Sequence, residues 1–227
     1  MDSFYTSRPW LEYAYRYAKA LRISPHGLVG AILARVSALT PPNVVAQLTE
    51  NDLPMTLNIN VALVAPTGSG KGRVMAQSRL LVPASPMCPL EEIKPKTGES
   101  IPAKFVAKVP AVDGDGKQIK GEYADKVLTD RCLLYMPEIV SLRAAMNRQG
   151  SVILPTLLES FSNEPIGDDT KGKQFQTKIP SYGYRLAAVV GVQPTNAGVL
   201  FDEAQTGLAG RFIYVAATDA DAPEKRP

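Results

Sequence analysis

The chain has 227 residues, enough for one good-sized domain with a proper apolar interior. Hydrophobic residues make up 45% and charged residues 21%, which argues against a disordered chain, and no apolar run approaches the roughly 20 residues a membrane-spanning helix needs. A formal charge of +3 is too small to establish nucleic-acid binding, because only clustered charge carries that meaning.

The opening stretch M-D-S-F-Y-T-S-R-P-W places no basic segment before an apolar one, so no secretory signal is expected. Ser7 and Pro9 mark a helix start, and Trp10, Leu11, Ala14, Tyr15, Ala18 and Leu21 recur at spacings of three and four. The aromatic density here (Phe4, Tyr5, Trp10, Tyr13, Tyr15, Tyr17) reads as core packing, or as an arm for subunit contact. A second helix starts at Ser24-Pro25 and stops at Pro41-Pro42. His26 in its first turn is assigned no role. Residues 1–50 therefore form a small N-terminal helical region, and residues 51–227 the main core.

Leu57 to Val64 reads as a strand that becomes continuously apolar, as expected of a parallel strand covered on both faces. A glycine-rich loop follows, then a helix over about 71–81. Residues 84–130 are irregular. Asp113-Gly114-Asp115-Gly116 signals a turn, and a protruding hairpin over about 100–126 carries Lys104, Lys108, Lys117, Lys120 and Lys126. Cys132 to Met136 is a buried strand ending at Pro137-Glu138, followed by helices over about 138–148 and 152–162. A polar loop then holds Lys171, Lys173 and Lys178, with Phe175 between them. A further buried strand ends at Gln193, a short helix lies near 196–204, and a last strand spans Phe212 to Ala217. Strands alternating with helices give an α/β core with a mainly parallel sheet. Cys88 and Cys132 read as two free thiols in a reducing cytoplasm, with too few ligands for a zinc site.

The chemistry concentrates at Ala65-Pro66-Thr67-Gly68-Ser69-Gly70-Lys71-Gly72. A phosphate loop normally reads glycine, four residues, then Gly-Lys-Ser/Thr. Glycines let main-chain N–H groups turn toward phosphate oxygens, the following helix offers its positive end, and the lysine reaches the terminal phosphates. Pro66 to Gly72 are accordingly the expected nucleotide-binding residues. Two positions depart from the pattern: Ala65 stands for the first glycine, and Gly72 for the hydroxyl residue that ordinarily ligates magnesium.

Partners for hydrolysis are expected where ligands sit in open parallel sheets, outside the carboxyl ends of the strands. Glu138 takes the place of the Walker-B acid, orienting water or binding Mg2+ directly or through water, although Pro137 replaces the aspartate that often precedes it. Glu99, in T-G-E-S, is a rival general base or an exposed loop acid. Gln193 is placed to sense the γ-phosphate, or is simply a polar strand terminus. Arg211, in G-L-A-G-R-F, is placed to stabilise transition-state charge in a neighbouring subunit's site, or makes a surface salt bridge.

Several segments together resemble a known family. S-R-P-W-L-E-Y, I-S-P-H-G-L-V-G-A-I-L-A-R-V-S-A, L-N-I-N-V-A-L-V-A-P-T-G-S-G-K-G, Y-R-L-A-A-V-V-G-V-Q-P-T-N-A-G-V-L and G-L-A-G-R-F-I-Y-V-A-A-T-D are similar to the ATPase half of helicase-like and primase–helicase-like proteins of actinobacteria, their plasmids and their phages. The resemblance runs over nearly the whole chain. It implies a RecA-like P-loop NTPase core related to replicative hexameric helicases, using ATP and Mg2+, in the cytoplasm of a bacterial cell. It also implies a homo-oligomeric ring, of hexamer type, in which Arg211 acts in trans and single-stranded DNA occupies the channel. Lys171, Lys173 and Lys178 are the candidate DNA contacts, with Phe175 able to stack on a base, the alternative being a solvated surface loop. The expectation is an ATP-dependent helicase or translocase acting in DNA replication. The alternatives are a nucleotide-binding loader, adaptor or switch with little hydrolysis, and a P-loop kinase.

Overall fold

A proline in the first turn, preceded by a residue in extended conformation, starts each of the two long N-terminal helices in the computed structural model, which describes residues 2–167, 172, 176–201 and 206–222. Helix α1 (Ser3–Thr6) leads into α2 (Pro9–Leu21) and α3 (Pro25–Leu39). Ser24 caps α3 by accepting the Gly27 N–H at 3.0 Å, and its hydroxyl donates to the Ala216 carbonyl at 2.8 Å, so one side chain both starts the helix and docks it.

The sheet has five parallel strands: β1 (Asn60–Val64), β2 (Glu91–Ile93), β5 (Arg131–Met136), β6 (Arg185–Val192) and β7 (Ile213–Ala216), in the order β2-β5-β6-β1-β7. Helix α4 (Lys71–Leu81) follows β1, and α5 (Pro102–Phe105) follows β2. Helices α6 (Val140–Met146) and α7 (Ile153–Ser162) follow β5, and α8 (Gly198–Phe201) follows β6. Strands β3 (Val106–Val112) and β4 (Gln118–Val127) make a separate antiparallel hairpin whose turn lies at Asp113–Lys117 as expected but which starts at Val106 and not near residue 100, with β4 exposed along its length. Lys104 lies in α5 rather than on the hairpin, and Lys108 pairs with Asp125 across it at 2.6 Å.

Alternation along the strands divides the interior in two. Leu186, Ala188, Val190 and Val192 of β6 face a core shared with α6, α7 and α8. Ala187 and Val189 face the other, which Val61 and Leu63 share with Leu11, Ala14, Ala18 and Leu28 from the N-terminal helices and with Val74 and Met75 of α4. The helices of residues 1–50 thus cover one face of the sheet together with α4. Tyr5 is fully buried there, and its hydroxyl lies 2.8 Å from His26 Nδ1, whereas Phe4, Trp10 and Tyr13 stay exposed. Strand β2 has no counterpart in the sequence reading. Only Ile93 of its three residues is buried, so it lacks the apolar run that reveals the central strands.

Two polar clusters, one partly buried and one around a fully buried arginine, pin this arrangement. Glu92 on β2 accepts from Arg35 of α3 and from Arg79 of α4. Burial alone would raise the Glu92 carboxyl, but the two guanidinium groups outweigh it and hold it below the usual range. Arg185, at the start of β6, has no exposed surface. Its guanidinium donates to the carbonyls of Thr40, Pro41 and Val44, to Thr56 Oγ1 and to Asn58 Oδ1, so the chain on either side of residue 50 is tied to the central strand. Burial also lowers its pKa. Both cysteines are free thiols. Among the described residues no helix is long and apolar enough to cross a membrane.

Candidate nucleotide-binding site

The glycine-rich loop leaves the carboxyl end of β1 and opens directly into α4. Gly68 and Gly70 adopt φ of +79° and +90°, a left-handed conformation in which a side chain would be strained. A β-carbon at Gly68, Gly70 or Gly72 would meet no atom within 4 Å, so the loop borders open space. Among the described residues no acceptor engages the N–H groups of Gly68, Gly70, Gly72 or Arg73. Thr67 is exposed, and the Ser69 hydroxyl donates to the Pro66 carbonyl at 2.6 Å. The result is a set of unengaged N–H groups bordering open space at the positive end of an 11-residue helix.

Lys71 is buried beneath this loop. Its ammonium donates to the carbonyls of Ala65 at 2.6 Å and Pro66 at 2.8 Å. Burial lowers its pKa, and the nearby Glu138 carboxylate opposes that shift without cancelling it. A partly desolvated ammonium folded onto its own loop gains from a phosphate oxygen that replaces those neutral carbonyls.

Glu138 reaches the same edge because of a glycine. The chain leaving β5 turns across the end of β6, and a β-carbon at Gly191 would lie 2.0 Å from the Pro137 carbonyl oxygen and 3.6 Å from Lys71 Cε. The Ile139 N–H donates to the Gly191 carbonyl at 2.9 Å, which fixes the turn. Glu138 is exposed, and its Oε2 accepts from Gln193 Nε2 at 2.9 Å. Gln193 Oε1 in turn accepts from Asn196 Nδ2 at 3.1 Å, in the 3-10 turn Pro194–Asn196. This three-residue chain fixes which end of the Gln193 amide faces the acid.

Loop, Lys71, Glu138 and Gln193 therefore share the carboxyl edge of the sheet. Glu99 is exposed on the segment between β2 and α5, and no hydrogen bond or ion pair joins its carboxylate to Lys71, Glu138 or Gln193. Arg211 lies at the opposite edge. Asn60, which starts β1, donates to the Arg211 carbonyl at 3.2 Å, and the Arg211 guanidinium donates to the Gly207 carbonyl and to Ser162 Oγ. With a rise of about 3.3 Å per residue, the length of β1 separates it from the loop of its own chain, a gap too long for its side chain. Lys178 is likewise near the amino edge, beside the Ile166–Ile179 bridge that precedes β6. Lys171, Lys173 and Phe175 lie outside the described residues.

The sequence reading missed Gly191 and Asn196. A glycine inside a buried strand signals close approach of another backbone, which is its role here. Asn196 carries no signal beyond its position three residues after a strand-ending glutamine.

The donor set suits a polyphosphate better than a tightly held cation. Among the described residues no group of three or more His, Cys, Asp or Glu side chains is placed to hold a metal ion. Gly72 supplies no hydroxyl, which leaves Glu138 as the anionic side chain of the site. No protein-family model matches the chain, and no curated protein matches it in sequence.

Proposed function

We propose that the chain is an ATPase with a RecA-like P-loop core, working as a ring-forming helicase or translocase on single-stranded DNA. The observation that carries the reading is the set of unengaged N–H groups at Gly68, Gly70 and Gly72, set over a buried lysine at the mouth of a helix that follows a buried parallel strand. Phosphate is the ligand class that such a cradle favours.

In this reading the loop amides and the Lys71 ammonium bind and orient the β- and γ-phosphates. Glu138 accepts a hydrogen bond from the attacking water, and Gln193 holds Glu138 in place until a γ-phosphate competes for its amide. Mg2+ would be held by phosphate oxygens and by Glu138 through water, and when bound would neutralise charge on the departing phosphate. Arg211 lies too far from the loop of its own chain to act there, which supports a role in a neighbouring site of a ring.

A second reading has its own support. With glycine at position 72 and no cluster of metal-ligating side chains among the described residues, the chain could bind nucleotide as a loader, adaptor or switch and turn it over slowly. A P-loop kinase is a third reading, which no further feature of the site favours.

ATP turnover measured with and without single-stranded DNA separates them. Strong stimulation is expected of the motor, basal turnover alone of a kinase or switch, and binding without turnover of an adaptor. Lys71→Ala is expected to abolish nucleotide binding or turnover, and normal ATPase in that variant refutes the site. Wild-type affinity for a fluorescent ATP analogue should fall as pH rises through the depressed Lys71 pKa, because only the ammonium form pairs with phosphate. Arg211→Ala should keep binding and lose turnover, with recovery on mixing with Lys71→Ala protein.

A further inference from the structure

A cavity of about 410 Å³ opens on the carboxyl edge of the sheet, next to Glu138 and between the ends of β2 and β5. Met136 and Ala145 contribute to its apolar walls, and Lys94, Lys96 and Arg148 bring positive charge to it. All three cations are exposed, and among the described residues no carboxylate pairs with any of them. Lys94 and Lys96 sit two residues apart on the segment leaving β2, and Arg148 follows α6, its guanidinium donating to the Lys96 carbonyl at 3.4 Å. Lys94 Nζ also lies 5.1 Å from the centre of the Tyr135 ring, which Arg79 approaches at 4.1 Å. Two chain segments far apart in sequence thus bring three unneutralised cations to one cleft, with Glu138 as its single carboxylate among the described residues.

We propose that this cleft, and not the loop around Lys178, holds the phosphodiester backbone of single-stranded nucleic acid. The inference rests on the ATPase reading above and names where its second polyanion touches the chain. Charge supports it: a cationic cleft with apolar walls suits a strand that presents phosphates on one side and sugars on the other. Position supports it further. A strand in this cleft touches the wall that includes Glu138, so its arrival can be felt at the hydrolytic site. A strand lying along Lys178 would sit near the other end of the sheet.

The test is anisotropy of fluorescently labelled oligo-dT, about 20 nucleotides long, in the presence of an ATP analogue and over a series of salt concentrations. Replacing Lys94, Lys96 and Arg148 together by glutamine should weaken binding by at least about 30-fold. Loss of three phosphate contacts should also flatten the slope of log affinity against log salt by about 2. Lys178→Gln should bind like the wild type. Fluorescent ATP analogue should bind all of these proteins equally, which separates failure of the cleft from failure of the nucleotide site. Single Lys94→Gln and Arg148→Gln variants, each expected to weaken binding several-fold, keep the test open if the triple variant folds poorly. The proposal is overturned if the glutamine variants bind oligo-dT with wild-type affinity and slope. It is also overturned if Lys178→Gln alone removes binding, or if wild-type protein binds the ATP analogue but no oligo-dT. Equal affinity for dTMP and the oligonucleotide would make the cleft a small-molecule phosphate site and would likewise overturn it.

Discussion

The two ends of the parallel sheet treat polar groups in opposite ways. At the amino end, Arg185 is fully buried and spends its donors on five partners, Asn60 Nδ2 holds the Arg211 carbonyl although Asn60 Oδ1 is buried without a partner among the described residues, and the Arg211 guanidinium is engaged by Gly207 and Ser162. At the carboxyl end, among the described residues, the N–H groups of Gly68, Gly70, Gly72 and Arg73 have no acceptor and Lys94, Lys96 and Arg148 have no carboxylate, while Lys71 rests on neutral carbonyls. Satisfied groups stabilise the fold, whereas groups left unengaged keep their interaction free energy for something outside the chain. Substitutions at the amino end should therefore change stability and spare ligand binding, and substitutions at the carboxyl end should do the reverse.

The largest effect is expected at Arg185. Arg185→Met keeps much of the volume but strands three carbonyls, a hydroxyl and an amide oxygen in a partly buried setting. At about 1 kcal/mol or more for each stranded group, the loss should reach roughly 3–5 kcal/mol, enough to unfold a chain of ordinary stability in part. Denaturant unfolding reads the loss directly. If Arg185→Met unfolds like the wild type, the amino end is not the structural anchor, and the contrast between the two ends fails.

Much of this contrast could be read from the chain alone, and the unreadable part has a common cause. The loop, the strand before it and the helix after it were legible because glycine, lysine and an apolar run are local signals. So were the strands that lead to Glu138 and Gln193, which are runs of mostly buried apolar residues. Strand β2 was not, because two of its three residues are not buried, and Glu92 within it shows its purpose only beside Arg35 and Arg79. Arg185 carries no local signal of its role, since its five partners come from residues 40–58. The cleft was hidden for the same reason: Lys94 and Arg148 meet only once β2 and β5 are paired.

Gly191 sharpens the comparison from the carboxyl side. Gly191→Ala places a methyl group where the Pro137 carbonyl already lies, so the turn that carries Glu138 must move. Displacement of a catalytic group by about 1 Å can lower turnover on the order of 100-fold. The loop amides belong to another segment and should still bind nucleotide. The expected signature is a kcat lowered about 100-fold with nucleotide affinity within a few-fold of wild type. Should affinity collapse together with turnover, Glu138 and the loop form a single unit, and the division of labour proposed here is wrong.

The smallest effect tests the hydrogen-bonded chain itself. Asn196 donates to Gln193 Oε1, which leaves Gln193 Nε2 to donate to Glu138. Asn196→Asp reverses the first bond, because a carboxylate only accepts, and it attracts the Gln193 NH2 group to itself. The Gln193 carbonyl oxygen would then face Glu138, acceptor against acceptor, and the acid would lose its fixed position. Asn196→Ala removes the donor but leaves the Gln193 amide free to keep its bond to Glu138. Turnover should therefore fall about tenfold in Asn196→Asp, corresponding to about 1.4 kcal/mol, and less in Asn196→Ala. Nucleotide affinity should stay constant in both. That order, with the near-isosteric change the more harmful, follows from the direction of the hydrogen bonds, whereas loss of packing alone would make alanine the worse substitution.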